Sequence, residues 1–519
     1  MRVVLATVNA RYHHCSLALR YLKANLGEFG PDCQLLEFTL EQRPLEVVEA
    51  LLAARPDLIG LSIYIWNASF SLEVVRLLKR LRPDLPLVLG GPEVSYEWDQ
   101  QELVALADYL ITHEGERALL QLCRDLSAGR RDLPRVIAGG QPRLDDLVLP
   151  YDLYSDVDLA QRTLYVEASR GCPFRCEFCL SSLDTGVRYF PQERLLAALQ
   201  QLLDRGARHF KFIDRTFNLR LEVSSALLDF FWQRYQPDMF LHFEMVPDRF
   251  PAELRSRVAR FPAGAVQFEI GIQTFQPEVQ QRISRRQKLE ALEDNLRFLR
   301  EHTGVHIHAD LIVGLPGETL EQFARGFDHL VALGPQEIQV GILKRLRGTP
   351  ILRHDQEFAM LYSPSPPYEI LQNSVIDFDQ MMRLKRFARM WDVTANRGRF
   401  PQLLRRLLGQ SPFENFMAFS LHAVAALGGT REMAVDRVAR CLVEFLLQQG
   451  HSLEAVVADA LADYGPQGRI PGFLSQLPGA DPEWFRRALP RREKTRALPA
   501  RQARHLEAQP VEGLLTGVE

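Results

Sequence analysis

The sequence predicts an α/β protein with an N-terminal doubly wound, Rossmann-like parallel sheet, a partial (β/α)6 barrel after it and a mostly α-helical C-terminal region. Two series of continuous apolar segments alternate with amphipathic helical stretches, a pattern typical of parallel sheets covered on both faces. Near residue 350 this strand pattern stops. The chain has 519 residues, of which 46% are hydrophobic and 24% charged. That length favours about two to four domains, and the composition is typical of globular proteins.

The first series occupies residues 1–128 and holds five predicted strand–helix units. Their strands are RVVLATVN, CQLLEFTL, LIGLSIYIW, PLVLGGP and DYLITHEG. In a sheet of this kind a ligand binds beyond the carboxyl ends of the strands. Residues 129–162, which are rich in Asp, Arg and Pro, are predicted to be a linker.

The second series, residues 163–349, holds six predicted units, fewer than a full barrel has. Polar side chains follow its strands, where barrels carry their chemistry; these are Asp214, Glu244, Gln273 and Asp310. Residues 350–485 are predicted to be helical. Residues 486–519 are predicted to be a basic, disordered tail, because eight Lys or Arg and one acid lie between Arg486 and Arg504.

Three of the seven cysteines lie in one short stretch, VEASRGCPFRCEFCLSS, with the spacing C-x-x-x-C-x-x-C. A buried helix face would fit this spacing, but Gly171 and Pro173 favour a loop. A zinc site would normally need a further Cys or His pair at ligand spacing, and none follows in the sequence. We therefore favour an iron–sulfur cluster held by Cys172, Cys176 and Cys179. Three ligands leave one iron of a [4Fe-4S] cubane open for catalysis.

This loop, with Phe178 before its third cysteine, resembles the signature of the radical S-adenosylmethionine superfamily. The resemblance implies that the open iron binds S-adenosylmethionine, which is cleaved to a 5′-deoxyadenosyl radical. The segment FEIGIQTFQPEVQQRISRRQ resembles the fourth-strand region of enzymes related to oxygen-independent coproporphyrinogen oxidase. Each polar residue that matches this family, taken singly, could instead form a structural salt bridge or cap the end of a strand. The predicted S-adenosylmethionine contacts are Phe178, Asp214, Glu244, Gln273, Arg285 and Asp310.

A parallel sheet ahead of such a barrel resembles the cobalamin-binding class of the superfamily. Glycines at strand turns let backbone approach a flat ligand, and polar side chains supply contacts at the rim. The predicted cobalamin contacts are Ser62, Asn67, Gly90, Gly91, Glu93 and Gly115. The turn NARYHHCSL lacks the D-x-H-x-x-G motif, so we do not expect His13 or His14 to ligate cobalt. The alternative is a domain that keeps the fold and has lost the ligand.

The resemblance thus implies an enzyme with a [4Fe-4S] cluster, S-adenosylmethionine and cobalamin that methylates an unactivated carbon. Two alternatives stay open: cobalamin-dependent radical cyclisation, rearrangement or oxidation, and a non-catalytic iron–sulfur or cobalamin sensor. We expect a small-molecule or peptide substrate rather than RNA, and a flavodoxin or ferredoxin as electron donor. No catalytic side chain is predicted. Without a membrane-length apolar run or an export signal, we expect a cytoplasmic protein with no membrane partner.

Overall fold

The computed structural model describes residues 1–430, 433–464 and 470–487, together with Gln502 and His505. The chain forms two compact units. Unit 1 comprises Met1–Thr216, Lys344–Arg353 and Tyr362–Glu369, and unit 2 comprises Phe217–Leu343, His354–Leu361 and Ile370–Glu519. Within the described residues, no helix has both the length and the apolar character that crossing a bilayer requires. Apart from Gln502 and His505, most of the predicted basic tail lies outside the described residues.

Unit 1 is built on a six-stranded sheet in the order β2-β1-β3-β4-β5-β6, in which all pairs are parallel. Its strands are β1 (Val3–Asn9), β2 (Gln34–Thr39), β3 (Leu58–Ser62), β4 (Leu87–Gly90), β5 (Tyr109–Thr112) and β6 (Val136–Ala138). The helices between them are α1 (Leu17–Ala24), α2 (Pro44–Ala53), α3 (Ala68–Leu81), α4 (Glu102–Leu106) and α5 (Glu116–Ser127). The strand order reverses between β1 and β3, which is where such sheets open a crevice for a ligand.

The apolar strands of this sheet are buried on both faces. Alternate residues of β1 point to opposite sides, as the pleat requires. Val4, Ala6 and Val8 join one apolar core, and Val3 and Leu5 join the other. Continuous apolar strands therefore predict the doubly covered sheet correctly.

The predicted linker over 129–162 contains ordered structure. It supplies the sixth strand, β6, and helix α6 (Asp156–Gln161). The buried side chain of Arg20 on α1 donates to Asp158 Oδ2 at 2.8 Å and to Glu37 Oε1 at 2.6 Å. This buried ion-pair network fastens α6 to the sheet, so residues 129–162 are part of unit 1.

The rest of unit 1 holds the start of the second series. Its elements are β7 (Leu164–Val166), β8 (Ser169–Arg170), β9 (Arg188–Tyr189), α7 (Gln192–Asp204) and β10 (His209–Phe212). Strand β10 pairs with β7 in parallel, and the short β8 and β9 pair antiparallel.

Unit 2 continues the alternation with four parallel strands, paired β11 to β12, β12 to β13 and β13 to β14. Its elements are α8 (Leu221–Gln233), β11 (Phe240–Met245), α9 (Ala252–Val258), β12 (Val266–Gln273), α10 (Pro277–Arg282), α11 (Leu289–His302), β13 (His306–Val313), α12 (Leu320–Leu333) and β14 (Glu337–Ile342). Side chains alternate along these strands between an apolar face and a face rich in His, Gln, Glu and Asp.

After β14 the chain is mainly helical. Two short strands, β15 (Leu361–Tyr362) and β16 (Ile370–Gln372), precede α13 (Phe378–Val393), α14 (Pro401–Leu408), α15 (Pro412–Leu427), α16 (Val435–Gln448), α17 (Leu453–Tyr464) and α18 (Pro482–Arg487). Buried aromatic rings join α12, α13 and α15, with Phe327 and Trp391 centroids 4.8 Å apart and Phe387 and Phe416 centroids 5.1 Å apart. The predicted fold class is confirmed.

Candidate functional site

The three cysteines predicted to bind metal lie in an irregular loop between β8 and a 3-10 turn at Leu180–Leu183. This excludes the interpretation as a helix face. Cys172 and Cys176 are buried, and Cys179 is half-buried. Backbone hydrogen bonds shape the loop: Cys172 N donates to Asp184 O at 2.9 Å, and Cys179 N donates to Cys176 O at 3.0 Å.

Gly171 lets the chain enter this loop. Its φ is +92°, and a Cβ there would lie 2.3 Å from the Gly186 carbonyl oxygen. Burial, reinforced by the neighbouring Cys179 and Cys176 thiols, raises the pKa of Cys172 to about 11. Thiolates are the species that bind metals, so the positive charge of a bound iron centre would compensate for this unfavourable ionisation. Phe178, also in the loop, is half-buried.

Asp214 braces the strand that leads into the cysteine loop. Its buried carboxylate accepts hydrogen bonds from Ala168 N at 2.9 Å and from Ser169 Oγ at 2.5 Å. Burial raises the pKa of Asp214 to about 7, against the opposing effect of these two donors. The structure therefore gives Asp214 two local partners in unit 1.

A cavity of about 830 Å³ lies within unit 1. The carboxyl-end turns of the six-stranded sheet form one wall, and residues flanking the cysteine loop form another. Ser62, Gly90, Gly91 and Gly115 line the first wall; Tyr165, Glu167, Arg170, Leu180 and Asp184 line the second. Four of the six predicted cobalamin contacts thus face one cavity with the neighbours of the predicted cluster ligands.

Two further features of the cavity were not predicted from the sequence. Tyr64 and Trp66 line it as a stacked pair, with ring centroids 4.4 Å apart and planes 7° from parallel. Glu116 also lines it and is buried, with Oε1 paired to Arg170 at 2.8 Å. In the described part of the chain, Glu116 Oε2 has no hydrogen-bond partner. A buried carboxylate oxygen without a partner is costly, so this wall fits a ligand that presents N–H donors, as the carboxamide arms of a corrin do.

Asn67 and Glu93, also predicted to contact cobalamin, shape the turns of the sheet. The Asn67 side chain is fully buried, accepting from Tyr64 N at 2.8 Å and donating to Val8 O at 3.0 Å. Glu93 is buried and accepts from Tyr368 Oη at 2.6 Å. Both side chains therefore have protein partners.

A segment that follows β14, residues 344–353, forms a strap that we did not predict. Arg347 Nε donates to Glu93 Oε1 at 3.0 Å, and Gly348 N donates to Glu97 Oε1 at 3.1 Å. Tyr96, which precedes Glu97 in the turn after β4, lines the cavity. The strap therefore fixes one side of the cavity.

The same strap also reaches the cysteine loop. Ile351 N donates to Glu177 O at 3.1 Å, and Arg353 forms an ion pair with the buried Glu177 carboxylate. Glu177 lies between the second and third cysteines. One short segment thus ties the cysteine loop and the sheet turn at Glu93 into the same unit.

His14 lines the cavity, and its Nδ1 lies 2.6 Å from the Tyr165 hydroxyl. Burial and the nearby His13, Lys211 and Arg11 lower the pKa of His14 to about 4. The ring is therefore neutral at physiological pH and hydrogen-bonded to a residue of the opposite wall.

In unit 2, Gln273 and Arg285 come together at the carboxyl end of β12. Gln273 has a φ of +73° and sits where the β12–β13 register shifts. Arg285 Nη2 donates to Gly271 O, and Gln287 donates to the same oxygen at 2.9 Å. A Cβ on Gly271 would lie 2.5 Å from Gln273 Nε2 and 3.1 Å from Arg285 Nη2. A larger residue here would force the end of the Gln273 side chain to move.

Asp310 and Glu244 occupy the neighbouring strands of the same sheet. Asp310 lies opposite Gly271 in the β12–β13 register, with Oδ1 3.4 Å from His308 Nε2. Burial raises the pKa of Asp310, and the nearby His308 and Arg285 oppose that rise. Glu244, near the end of β11, is half-buried and lies opposite Glu269. Gln273, Arg285 and Asp310 thus form one polar group, and Glu244 lies farther along the sheet.

Comparison with known families identifies three regions of the chain. Residues 1–123 match the B12 binding domain, and residues 166–330 match the radical SAM superfamily. Residues 356–468, which span most of the C-terminal helices, match a protein family of unknown function, DUF4080.

Two curated relatives are about a quarter identical to this chain over the aligned residues. The 2-(S-pantetheinyl)-carbapenam-3-carboxylate methyltransferase of Streptantibioticus cattleyicolor is 26% identical over 54% of this chain and 46% of its own length. The cobalamin-dependent radical SAM methyltransferase TokK of Streptomyces tokunonensis is 27% identical over 56% of this chain and 47% of its own. The chain therefore spans about half the length of these relatives.

Solved structures share the fold at low sequence identity. The cobalamin-dependent S-adenosylmethionine radical enzyme OxsB, with aqua-cobalamin and S-adenosylmethionine bound, has a TM-score of 0.63 at 13% identity, covering 94% of this chain and 84% of that one. The radical S-adenosylmethionine methyltransferase TsrM from Kitasatospora setae has a TM-score of 0.56 at 18% identity, covering 73% and 81%.

The matched domains agree with the cofactors expected from the sequence. The radical SAM domain implies a [4Fe-4S] cluster and S-adenosylmethionine, and the B12 binding domain implies cobalamin. The radical SAM domain also implies a substrate and a reductant.

Proposed function

We propose that this chain, a radical S-adenosylmethionine superfamily protein with an N-terminal B12-binding domain, is a cobalamin-dependent radical methyltransferase that acts on an unactivated carbon. The observation that carries the proposal is the single cavity of unit 1. Its walls come from the carboxyl-end turns of the B12-type sheet and from residues flanking the three cysteines. Methyl transfer is fast when the reacting groups are held side by side in the right orientation, and a shared cavity allows this.

The cysteine loop supplies the cluster ligands in this proposal. Cys172, Cys176 and Cys179 would hold three irons, and the cluster, when bound, supplies the electron that cleaves S-adenosylmethionine. Asp214 acts as a positioning residue, because it ties down the strand before the loop. Phe178 would cover the loop with an apolar ring.

The polar group of unit 2 would hold S-adenosylmethionine. An Arg side chain matches a carboxylate in a two-pronged hydrogen bond, which supports Arg285 as the partner of the methionine carboxylate. Carboxylates such as Asp310 and Glu244 suit an ammonium group or ribose hydroxyls. Gln273, next to Arg285 above Gly271, would supply an amide contact.

The cavity walls would hold cobalamin. Gly90, Gly91 and Gly115 present backbone to a flat ring system, and Ser62 adds a hydroxyl at the rim. Glu116 Oε2 would accept from a carboxamide of the ligand. In this proposal Asn67 and Glu93 act through the turns that they support.

The partners proposed for the reaction follow from the same chemistry. We propose a small-molecule or peptide substrate, a flavodoxin or ferredoxin as reductant, and a cytoplasmic location, where thiols stay reduced. The 830 Å³ cavity is in the range that small molecules occupy in proteins.

The test uses full-length protein reconstituted anaerobically with iron, sulfide and hydroxocobalamin, and then reduced in the presence of S-adenosylmethionine that carries a trideuterated methyl group. We expect trideuteromethyl-cobalamin and 5′-deoxyadenosine, both detected by mass spectrometry without knowledge of the substrate. The variant with Cys172, Cys176 and Cys179 replaced by alanine should lose 5′-deoxyadenosine. Cys441→Ala, which removes a buried cysteine of α16, is the matched control and should retain it.

Each result separates the alternatives. If 5′-deoxyadenosine forms but no labelled methyl group reaches cobalamin or any product, the radical cyclase, rearrangement or oxidation alternative replaces methyl transfer. If neither compound forms in protein that carries both prosthetic groups, the sensor alternative replaces catalysis. If the triple variant still yields 5′-deoxyadenosine, the assignment of the cluster ligands is wrong.

A further inference from the structure

A second cluster of metal-binding side chains lies at the amino ends of β13 and β14. His306 is the first residue of β13 and Glu337 the first of β14. His308 lies opposite Glu337 in the register. Because residues i and i+2 of a strand share a face, His306 and His308 both flank Glu337. The distances are 3.0 Å from His306 Nε2 to Glu337 Oε1 and 3.5 Å from His308 Nδ1 to Glu337 Oε2.

The third member, His505, comes from far along the chain. Its Nε2 lies 3.6 Å from Glu337 Oε1, and its ring centroid lies 4.9 Å from that of His306. Gln502, three residues earlier and also helical, donates to Gln267 Oε1 at 2.6 Å. Gln267 is the register partner of His306 on β12. Two separate contacts thus bring this C-terminal segment to the same end of the sheet.

The geometry of the three donors suits one metal ion. The ligand atoms of His306, Glu337 and His505 all lie within 4.8 Å of one another. Around a tetrahedral zinc ion, with bonds of about 2.0–2.1 Å, ligand atoms are about 3.3 Å apart. The distances of 3.0 and 3.6 Å to Glu337 Oε1 bracket that value. Two imidazole nitrogens and a carboxylate oxygen are also a donor set that zinc prefers.

Burial indicates a structural role for such an ion. His306, Glu337 and His505 are exposed by only 3%, 1% and 8%. Burying a carboxylate carries a large desolvation penalty, which a bound divalent cation would help to offset. Closed sites of this kind are typical of structural zinc, whereas catalytic zinc keeps a position open to solvent or substrate.

We propose that His306, Glu337 and His505 bind a structural zinc ion. The ion pins the C-terminal segment to the amino ends of β13 and β14. In its absence the same side chains form a hydrogen-bonded network, in which His505 Nε2 contacts the Asn396 carbonyl oxygen at 3.0 Å. Zinc binding replaces that contact with a metal bond. The proposal does not rest on the proposed methyl transfer.

The experiment uses full-length protein in which Cys172, Cys176 and Cys179 are alanine, so that the cluster cannot contribute metal. This background is purified, dialysed to remove loosely bound ions and analysed by inductively coupled plasma mass spectrometry. We expect one equivalent of zinc per chain. His505→Ala and Glu337→Gln, added to this background, should each lose it. His329→Ala is the matched control, since it removes an exposed histidine paired with Glu293, and should retain the zinc.

Cobalt(II) provides a second measurement that does not depend on zinc supply during expression. Added to metal-free background protein, without cobalamin, it should give the intense visible absorption of a tetrahedral site, and His505→Ala should abolish that absorption. Circular dichroism verifies that the variants fold. The proposal is overturned if the folded background binds neither zinc nor cobalt stoichiometrically, or if His505→Ala binds them as well as the background does.

Discussion

Replacing Gly91 by alanine tests how the turn after β4 shapes the cavity wall. Gly91 has a φ of +109°, which side-chain-bearing residues rarely adopt. An added Cβ would lie 2.4 Å from the Ile63 carbonyl oxygen and 2.9 Å from the Ile63 nitrogen. Both are backbone atoms at the end of β3, where Ile63 N donates to Gly90 O at 2.8 Å. The substitution must therefore separate β3 from β4 or force the turn out of its conformation.

The magnitude has two parts. The positive φ costs about 1–2 kcal/mol for a residue with a Cβ. A carbon–oxygen contact normally needs about 3.3 Å, so the backbone must move by about 0.9 Å, and such overpacking costs about 1–3 kcal/mol. The total is about 2–5 kcal/mol. Gly129→Ala is the matched control, because Gly129 has a φ of +78° and nothing within 4 Å of an added Cβ. It should show only the first part.

Hydrogen–deuterium exchange under native conditions measures this effect locally, which avoids assigning one free energy of unfolding to a chain with two compact units. Peptides covering residues 58–66 and 87–96 should lose protection in Gly91→Ala, and peptides from unit 2 should not. Cobalamin should also bind more weakly, because Gly90 and Gly91 line the cavity. The increase in exchange rate that Gly91→Ala causes in those peptides should exceed the increase that Gly129→Ala causes in the turn around residue 129. If it does not, the argument from the close backbone approach is refuted.

Three further predictions follow from buried charges. Burial raises the pKa of Asp463 to about 7, above its unfolded value. The stability that the protonated carboxyl contributes is therefore complete below about pH 4 and is lost as pH rises through 7. Asp463→Asn should raise the Tm relative to wild type at pH 8 but not at pH 4, and equal Tm differences at both pH values would contradict this. Asp214→Ala leaves two buried donors, Ala168 N and Ser169 Oγ, without an acceptor. It should lower the amount of iron loaded per chain under identical reconstitution, and unchanged loading would contradict the proposed positioning role of Asp214. Arg20→Met removes one of the two cations beside the buried Glu37 and Asp158 carboxylates, and Arg162 remains as the other. The loss should cost about 1–3 kcal/mol, seen as faster hydrogen exchange in peptides of α1 and α6, and unchanged exchange there would contradict it.

Most of the architecture could be predicted from local pattern. Continuous apolar segments identified the parallel strands, because a strand buried on both faces has no polar positions to interrupt it. Gly171 and Pro173 beside the first cysteine predicted a loop for Cys172, Cys176 and Cys179, and the structure has one. The linker prediction over 129–162 missed β6 and α6, because short elements with polar flanks carry little periodicity of their own.

The partners of individual polar side chains were less predictable. Asn67 and Glu93 lie in the turns where a ligand contact was expected, yet their side chains bind protein atoms. Glu93 bonds a tyrosine 275 positions away, and such a contact leaves no trace in the residues around either partner. Glu116 is the opposite case, because the sequence analysis did not single it out as a ligand contact. Only the structure reveals that one of its carboxylate oxygens is buried in the cavity wall and open to a ligand.

The sequence by itself determined the class of this protein: which segments become parallel strands, where three thiols gather, and which strand ends carry polar groups. These follow from periodicity and from the backbone demands of glycine, which act over a few residues. Only the tertiary structure decided which of those polar groups face a shared cavity, that residues 344–353 tie the cysteine loop to the sheet turn at Glu93, and that His505 joins His306 and Glu337. The reason is that such contacts depend on the three-dimensional packing of elements hundreds of residues apart, and no local pattern encodes that packing.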